Sequence, residues 1–171
     1  MNRSGAPLRI TSRSNALARD LRRLARDNLA YRRQRRIWIE GEHLCGAALA
    51  HALRPEIGVF SASGWEQAAP AFKAAARRNV VLDDGLMASV SSLTSPAALA
   101  FVLRHADVTP EIDPAAPSVV LDRVQDAGNV GSILRCAAAF GYRQVLALGG
   151  TAALWSPKVL RAGAGAHFWL S

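Results

Sequence analysis

Aromatic residues are scarce in this chain of 171 residues: four Trp, two Tyr and five Phe make up 6% of it. A core, if one forms, is therefore built mainly from Ala, Leu and Val. Cysteine is scarcer still. Cys45 and Cys136 lie far apart and neither sits in a CxxC pattern, which argues against a disulfide framework and fits a reducing cytoplasm. No run approaches the ~18 apolar residues of a membrane span, and no apolar segment follows the N-terminus, so neither membrane insertion nor secretion is expected. Acids are nearly missing from one end. Residues 1–36 hold eleven Arg against two acids, Asp20 and Asp27, while the other 135 residues hold ten Lys/Arg against eleven Asp/Glu. The net charge of +8 thus belongs to the N-terminal end and points to a polyanionic partner, of which nucleic acid is the usual one. An Arg-rich, acid-poor start also fits an organellar transit peptide, but this segment runs into a folded-looking pattern without a break.

The 171 residues suffice for one ordinary domain or two small ones, and with half of them apolar a packed core is expected. Residues 1–11 read as a loose tail. Thr11 or Ser12 is placed to cap a helix over about 14–30. At about 100° per residue, Leu17, Leu21 and Leu24 share one face of it, and Arg19, Arg22, Arg23 and Arg26 share the opposite one. Arg32, Arg33, Arg35 and Arg36 extend the charge. Such a face is commonly just solvated; the density of arginine in 36 residues favours contact with RNA phosphates. Beyond it the pattern alternates: strand 37–39, helix 43–53 stopped by Pro55, strand 57–60, an Ala-rich helix 65–77, strand 80–82, a short helix 84–90 and strand 99–103. This is an α/β domain over 1–104. Residues 105–117, with three prolines and three acids, read as a linker.

A second unit, 118–171, opens with the buried-looking strand Val119-Val120-Leu121. A polar loop follows, then a helix over about 130–140 capped by Asn129, with Ile133, Ala137 and Phe140 on its apolar face and Cys136 as core packing. Gly141 ends the helix and a strand covers 145–148, so a parallel β-α-β unit is expected. Ser156-Pro157 starts a short helix carrying Lys158 and Arg161, and Phe168-Trp169-Leu170 looks like a strand. The loop at the carboxyl end of the first strand, with a helix N-terminus aimed at it, is where α/β folds bind ligands. There Gly128 and Gly131 permit close approach to the backbone. Asn129 offers an amide and Arg135 a fixed cation able to pair with a phosphate or stabilise an alkoxide; the same two residues also read as a helix cap and a solvent-facing Arg. His43, Cys45 and His51 match no common zinc spacing, so no metal is expected. Gly163-Ala164-Gly165 lacks the third glycine and preceding strand of a dinucleotide loop.

The stretch Asn129-Val130-Gly131-Ser132-Ile133-Leu134-Arg135, followed by Ala137–Ala139 and Phe140-Gly141, resembles the first signature motif of the SpoU (TrmH) family of RNA ribose 2′-O-methyltransferases, within the SPOUT superfamily. Leu121-Asp122, Gln125-Asp126 and the run from Ser156 to Gly163 agree. So do Ile10-Thr11-Ser12 with Asn15, the Arg-rich helix and Ile39-Glu40-Gly41-Glu42, which resemble the family's substrate-binding domain. The resemblance implies a small ribosomal-protein-like RNA-binding α/β domain followed by the first part of a SPOUT-type, knotted, parallel-sheet methyltransferase domain. It also implies methyl transfer from S-adenosylmethionine to a ribose 2′-hydroxyl of rRNA or tRNA, in the cytoplasm, by a homodimer. Arg135 would lie by the target ribose and phosphate and Asn129 would hold the loop. Arg19, Arg22, Arg23, Arg26, Arg32, Arg33, Arg35, Arg36, Lys158 and Arg161 would contact RNA. The family's two later motifs, a Gly-rich loop with a Glu and a Ser-Leu-Asn stretch, form the knot and most of the cofactor site. Neither occurs in this sequence, so the S-adenosylmethionine site is expected to be incomplete and the chain to act as an RNA-binding module if it lacks turnover.

Overall fold

The computed structural model describes residues 6–106 and 111–170. The first strand comes where a loose tail was expected. Leu8–Ile10 forms β1, with Ile10 buried; a three-residue strand is too short for its periodicity to show. Residues 1–5 of that expected tail lie outside the described residues. Helix α1 spans Ala16–Arg26, and its cap is Asn15 rather than Thr11 or Ser12: the Asn15 Oδ1 accepts the N–H groups of Leu17 at 2.9 Å and Ala18 at 3.3 Å. Leu21 and Leu24 are buried on its inner face, as the spacing predicts. The helix does not run to residue 30. Asp27 leaves the helical conformation and its carboxylate accepts the Leu29 N–H at 2.8 Å, turning the chain into a separate short helix, α2, Ala30–Gln34.

The alternation then follows as β2 (Arg36–Glu40), α3 (Glu42–Ala50), β3 (Ile57–Ser61), α4 (Ala62–Gln67), α5 (Pro70–Ala75), β4 (Arg78–Leu82), α6 (Asp84–Val90) and β5 (Leu99–Arg104). The single helix expected over 65–77 is two. Ser61 caps α4 by accepting the Gly64 N–H, and Pro70 opens α5 at a position where a missing N–H costs nothing. The five strands form one sheet in the order β1-β4-β3-β5-β2; β1, β4 and β3 are parallel, and β5 runs antiparallel to β3 and β2. Every residue of β3 is buried, the pattern of a central strand covered on both faces.

One buried charge organises an edge of this sheet. The Glu40 carboxylate, 7% exposed, accepts from Trp38 Nε1 at 3.0 Å, Ser91 Oγ at 2.5 Å and the Ala97 backbone N–H at 3.2 Å. A buried carboxylate is tolerable only with such a set of donors, and here it ties the segment after α6 to β2.

The second sheet has two parallel strands, β6 (Ser118–Leu121) and β7 (Gln144–Ala147), joined through α7 (Ala127–Ala139). Helix α8 follows at Pro157–Gly163. The strand-like end at 168–170 is instead a short 3-10 turn, Ala166–Phe168: Ala164 and Gly165 both take left-handed backbone and fold the chain back, burying His167. The described part of segment 105–117 holds no helix or strand; residues 107–110 lie outside the described residues. Its turn is tied to β7 by Gln144, whose side-chain amide accepts the Asp113 N–H at 2.9 Å and donates to Ser118 Oγ at 2.6 Å.

The two sheets share packing. Leu160 of α8 belongs to the core of the first sheet, with Trp155 and Phe168 against it, and Arg161 Nη1 donates to Ser92 Oγ at 2.8 Å. The second sheet's own core is small: Leu121, Val130, Leu134, Val159 and Ala166.

Candidate nucleic-acid interface and active-site loop

The β6–α7 loop keeps its place at the carboxyl end of a parallel strand, but its chemistry differs from the expectation. Asp126, not Asn129, caps α7: its Oδ1 accepts the Asn129 N–H at 2.7 Å. The helix N-terminus therefore already faces a carboxylate, and Asp122 stands nearby in sequence, paired with Arg123 at 2.9 and 3.1 Å. An incoming phosphate would meet acids there, so the helix dipole alone does not make an anion site. Asn129 sits in the first turn, exposed.

Gly131 does not open the loop to a ligand. A Cβ at that position would lie 2.3 Å from Ala162 Cβ and 2.7 Å from the Gly163 N, so its role is to let α7 and α8 cross at close range. Gly128 is exposed and its hypothetical Cβ meets only the Asp126 carboxylate, at 3.0 Å.

The buried face of α7 is Val130, Gly131, Leu134 and Ala137. Ala137 was expected there; Phe140 was not expected at the surface, yet it is 82% exposed, and Cys136, assigned to the core, is exposed too. The apolar face is set by the i, i+4, i+7 row from Val130, one step away from the row through Ile133. Arg135 falls outside it: it is exposed, no partner is recorded for its guanidinium among the described residues, and it borders a shallow hollow of about 320 Å³. The rest of that hollow is alanine, glycine and Trp169. Apart from Arg135 and the Trp169 indole N–H it offers no polar side chain for the hydroxyls or the charged amino-acid end of S-adenosylmethionine, so this hollow does not fit the cofactor.

The N-terminal arginines separate into two groups. Arg22 donates to the Ser89 carbonyl and Oγ at 3.2 and 2.8 Å, and Arg26 to the Val90 and Ser91 carbonyls at 3.4 and 2.6 Å; both tie α1 to the end of α6. Arg36 makes a two-point pair with Glu56 at 3.0 and 2.8 Å, Arg33 pairs with Asp27, and Arg32 reaches the Tyr31 hydroxyl at 3.0 Å. The Arg33 guanidinium and two backbone N–H groups at Leu29 and Ala30 hold the Asp27 carboxyl below its usual range, the Leu29 bond most of all. Arg19 and Arg23 are exposed with no recorded partner, as is Lys158; Arg35 is exposed with its carbonyl accepting the His105 N–H, and Arg161 holds Ser92. His43, Cys45 and His51 form no metal-binding group among the described residues, and Cys45 is buried with its thiol toward the Ile39 carbonyl, burial pushing its ionisation far up.

Sequence reasoning missed Asp126 as the cap, although Asp before a helix is a common cap. It also missed Arg54 and Arg104, isolated residues with no local pattern to mark them; both line a large cleft between the two sheets.

A five-stranded mixed sheet joined to a parallel β-α-β unit makes this an α/β protein. Residues 116–171 match the model of the SpoU rRNA Methylase family. It is 34% identical over 163 residues to "rRNA methyltransferase 3A, mitochondrial" of Danio rerio, covering 91% of this chain and 37% of that protein. Among solved structures it resembles an RNA 2′-O ribose methyltransferase (30% identity, TM-score 0.74, 95% of this chain and 64% of that one). It also resembles an AdoMet-bound rRNA methyltransferase from Sinorhizobium meliloti (26% identity, TM-score 0.79, 97% and 64%). The chain thus spans under two thirds of the length of these relatives.

Proposed function

We propose that this protein takes part in S-adenosylmethionine-dependent methylation of a ribose 2′-hydroxyl in rRNA or tRNA. The proposed layout is an RNA-binding domain over 1–104, a linker over 105–117 and, in 118–171, the part of the methyltransferase domain that carries Arg135. The observation that carries the reading is Arg135 itself: a guanidinium exposed and without a recorded partner, on the helix that follows the β6–α7 loop, in the region matching the SpoU family. A ribose 2′-hydroxyl is a poor nucleophile. A fixed cation beside it favours the developing alkoxide and anchors the neighbouring phosphate, and correct alignment lowers the barrier further. Asn129 is assigned to hold the loop against the substrate. Arg19, Arg23 and Lys158 are the arginine-face and α8 cations best placed to meet phosphates, because no protein partner is recorded for them. S-adenosylmethionine would supply the electrophilic methyl group.

A homodimer and a cytoplasmic site of action belong to the same reading; the exposed Phe140 and Cys136 on α7 give the dimer contact a surface. A second reading is an RNA-binding module without turnover, supported by the eleven arginines of residues 1–36.

The test is transfer of labelled methyl from S-adenosylmethionine to total RNA, followed by alkaline hydrolysis. Label in alkali-resistant dinucleotides supports the enzyme reading, and Arg135→Ala should then abolish transfer while RNA affinity stays within about twofold, an interaction confined to the transition state. Salt-sensitive RNA binding with no label would favour the second reading.

A further inference from the structure

Four non-glycine residues among those described take left-handed backbone: Arg35, Ala52, Arg123 and Ala164. Three of them close helices. Arg35 caps α2, Ala164 caps α8, and Ala52 follows His51, the cap of α3; a left-handed residue is the ordinary way for a helix to stop. Arg123 is the exception. Its φ of 52° falls just past the end of β6, in the loop that leads to α7. A side chain in that conformation crowds the neighbouring carbonyl, so glycine or asparagine is the usual occupant. Such strain persists where the surrounding structure holds it, and it concentrates at functional sites.

The turn lays the arginine stem over the β7–α8 loop. A Cβ on Gly150 would come within 3.0 Å of Arg123 Cγ, so the stem fills the space that the missing side chain leaves. The two loops beneath are tied together. The Leu148 N–H and Thr151 Oγ1 both donate to the Leu121 carbonyl, at 2.9 and 3.0 Å, and the Ala152 N–H donates to the Val124 carbonyl at 2.9 Å. Asp122 fixes the head of the side chain: its carboxylate accepts from Nε and Nη2 of Arg123 at 2.9 and 3.1 Å. That occupies one edge of the guanidinium. No hydrogen bond within the described residues engages Nη1, on the other edge. The two side chains are 73% and 56% exposed, and an exposed ion pair contributes little to stability, so the pair does not offset the backbone strain. The strain holds a planar cation, one edge unoccupied, at the carboxyl ends of two parallel strands, where α/β folds bind ligands.

We propose that Arg123 is a substrate-positioning phosphate clamp: its Nη1–Nη2 edge takes two oxygens of one RNA backbone phosphate beside the ribose to be methylated, and Asp122 orients the guanidinium. The inference rests on the ribose-methylation reading above and gives that site a residue outside the stretch from Asn129 to Arg135. A guanidinium fork matches two phosphate oxygens in one plane, which a lysine does not. The carboxylates of Asp122 and Asp126 repel an anion from the α7 N-terminus itself, and Arg123 is the only cation of residues 122–129, so a phosphate entering this loop is directed to it.

Anisotropy of a fluorescent single-stranded RNA with the 171-residue chain over a salt series, beside thermal denaturation followed by circular dichroism, tests this. Arg123→Gly relieves the strain and removes the cation. It should raise the melting midpoint by about 2 °C and lower the slope of log affinity against log salt by about 0.7, one phosphate contact on a single strand. Arg123→Lys keeps the charge without the fork, so it should keep the slope and weaken binding about threefold. Opposite signs for stability and binding in the Gly variant separate a docking residue from a structural one, whose loss lowers stability. A midpoint that falls in the Gly variant, or a Lys variant that binds as tightly as the unaltered chain, would overturn the clamp. An unchanged slope in the Gly variant, with the unaltered chain binding RNA, would overturn the clamp and leave the RNA reading standing. No RNA binding by the unaltered chain would overturn both.

Discussion

The two sheets of this protein are unequal. The first has five strands, a fully buried centre and a carboxylate sealed among three donors. The second has two strands, five buried apolar residues of its own, and helix α8 giving Leu160 to its neighbour's core. Val120, Leu148 and Phe140 stay at its surface. The larger sheet is stabilised by its own burial; the smaller one depends on close helix crossing and on the sheet it leans against. The contrast extends to the charges. In the first unit Arg22 and Arg26 hold α1 to the end of α6, whereas in the second Arg135 makes no such tie among the described residues and faces a hollow.

Breaking each region at its own anchor should sharpen this contrast. The largest effect is expected at Glu40. Glu40→Ala leaves the Trp38 N–H, the Ser91 hydroxyl and the Ala97 N–H without their acceptor, a loss of roughly 3 kcal/mol or more, read from denaturant midpoints. Glu40→Gln should recover part of it, and an unchanged midpoint in the Ala variant would remove Glu40 as an anchor.

In the smaller unit, burial depresses the His167 pKa to about 4 from 6.5, opposed by its bond to the Leu154 carbonyl at 2.9 Å. The folded protein then keeps the ring neutral while the unfolded chain takes up a proton. Stability should be full above about pH 6.5, fall as pH drops toward 4 by up to about 3 kcal/mol, and level off below. His167→Gln should flatten that window. Asp27 and Asp84, both held below the usual carboxylate range by backbone and side-chain hydrogen bonds, lose their contribution only as pH falls further, so the two effects separate along the pH axis.

Gly131→Ala drives a Cβ into α8 and should cost about 1–3 kcal/mol, with near-normal circular dichroism from the larger sheet. The smallest effects divide the arginine face. Arg26→Ala should lose roughly 1 kcal/mol of stability, while Arg23→Ala should leave stability unchanged and lower the salt slope of RNA binding by about 0.7–0.9. The reverse pattern would dissolve the division between holding and docking arginines.

Much of the architecture is legible in the sequence. The strands at 37–39, 57–60, 80–82 and 99–103 and the helix at 84–90 stand out because apolar runs of strand length are bounded by Pro, Gly and charged turns, and the β-α-β unit because its loop and helix share one motif. Boundaries were less legible. Asp27 divides a helix and Pro70 starts one through local hydrogen bonding that periodicity does not register, and the burial of α7 is one step off because alanine-rich helices give a weak apolar phase. Cys136 and Phe140 went astray for that reason.

By itself the sequence determined the α/β alternation, the basic N-terminal end and the family motif around Arg135, because composition, period and motif are local properties of the chain. Only the tertiary structure decided which arginines are tied up in the protein, that Asp126 occupies the helix N-terminus, that Gly131 serves packing, and that Tyr31, Arg54, Arg104 and Trp155 line one cleft. Those depend on which distant backbone and side-chain groups arrive within 3 to 6 Å of one another, and no local pattern encodes that distance.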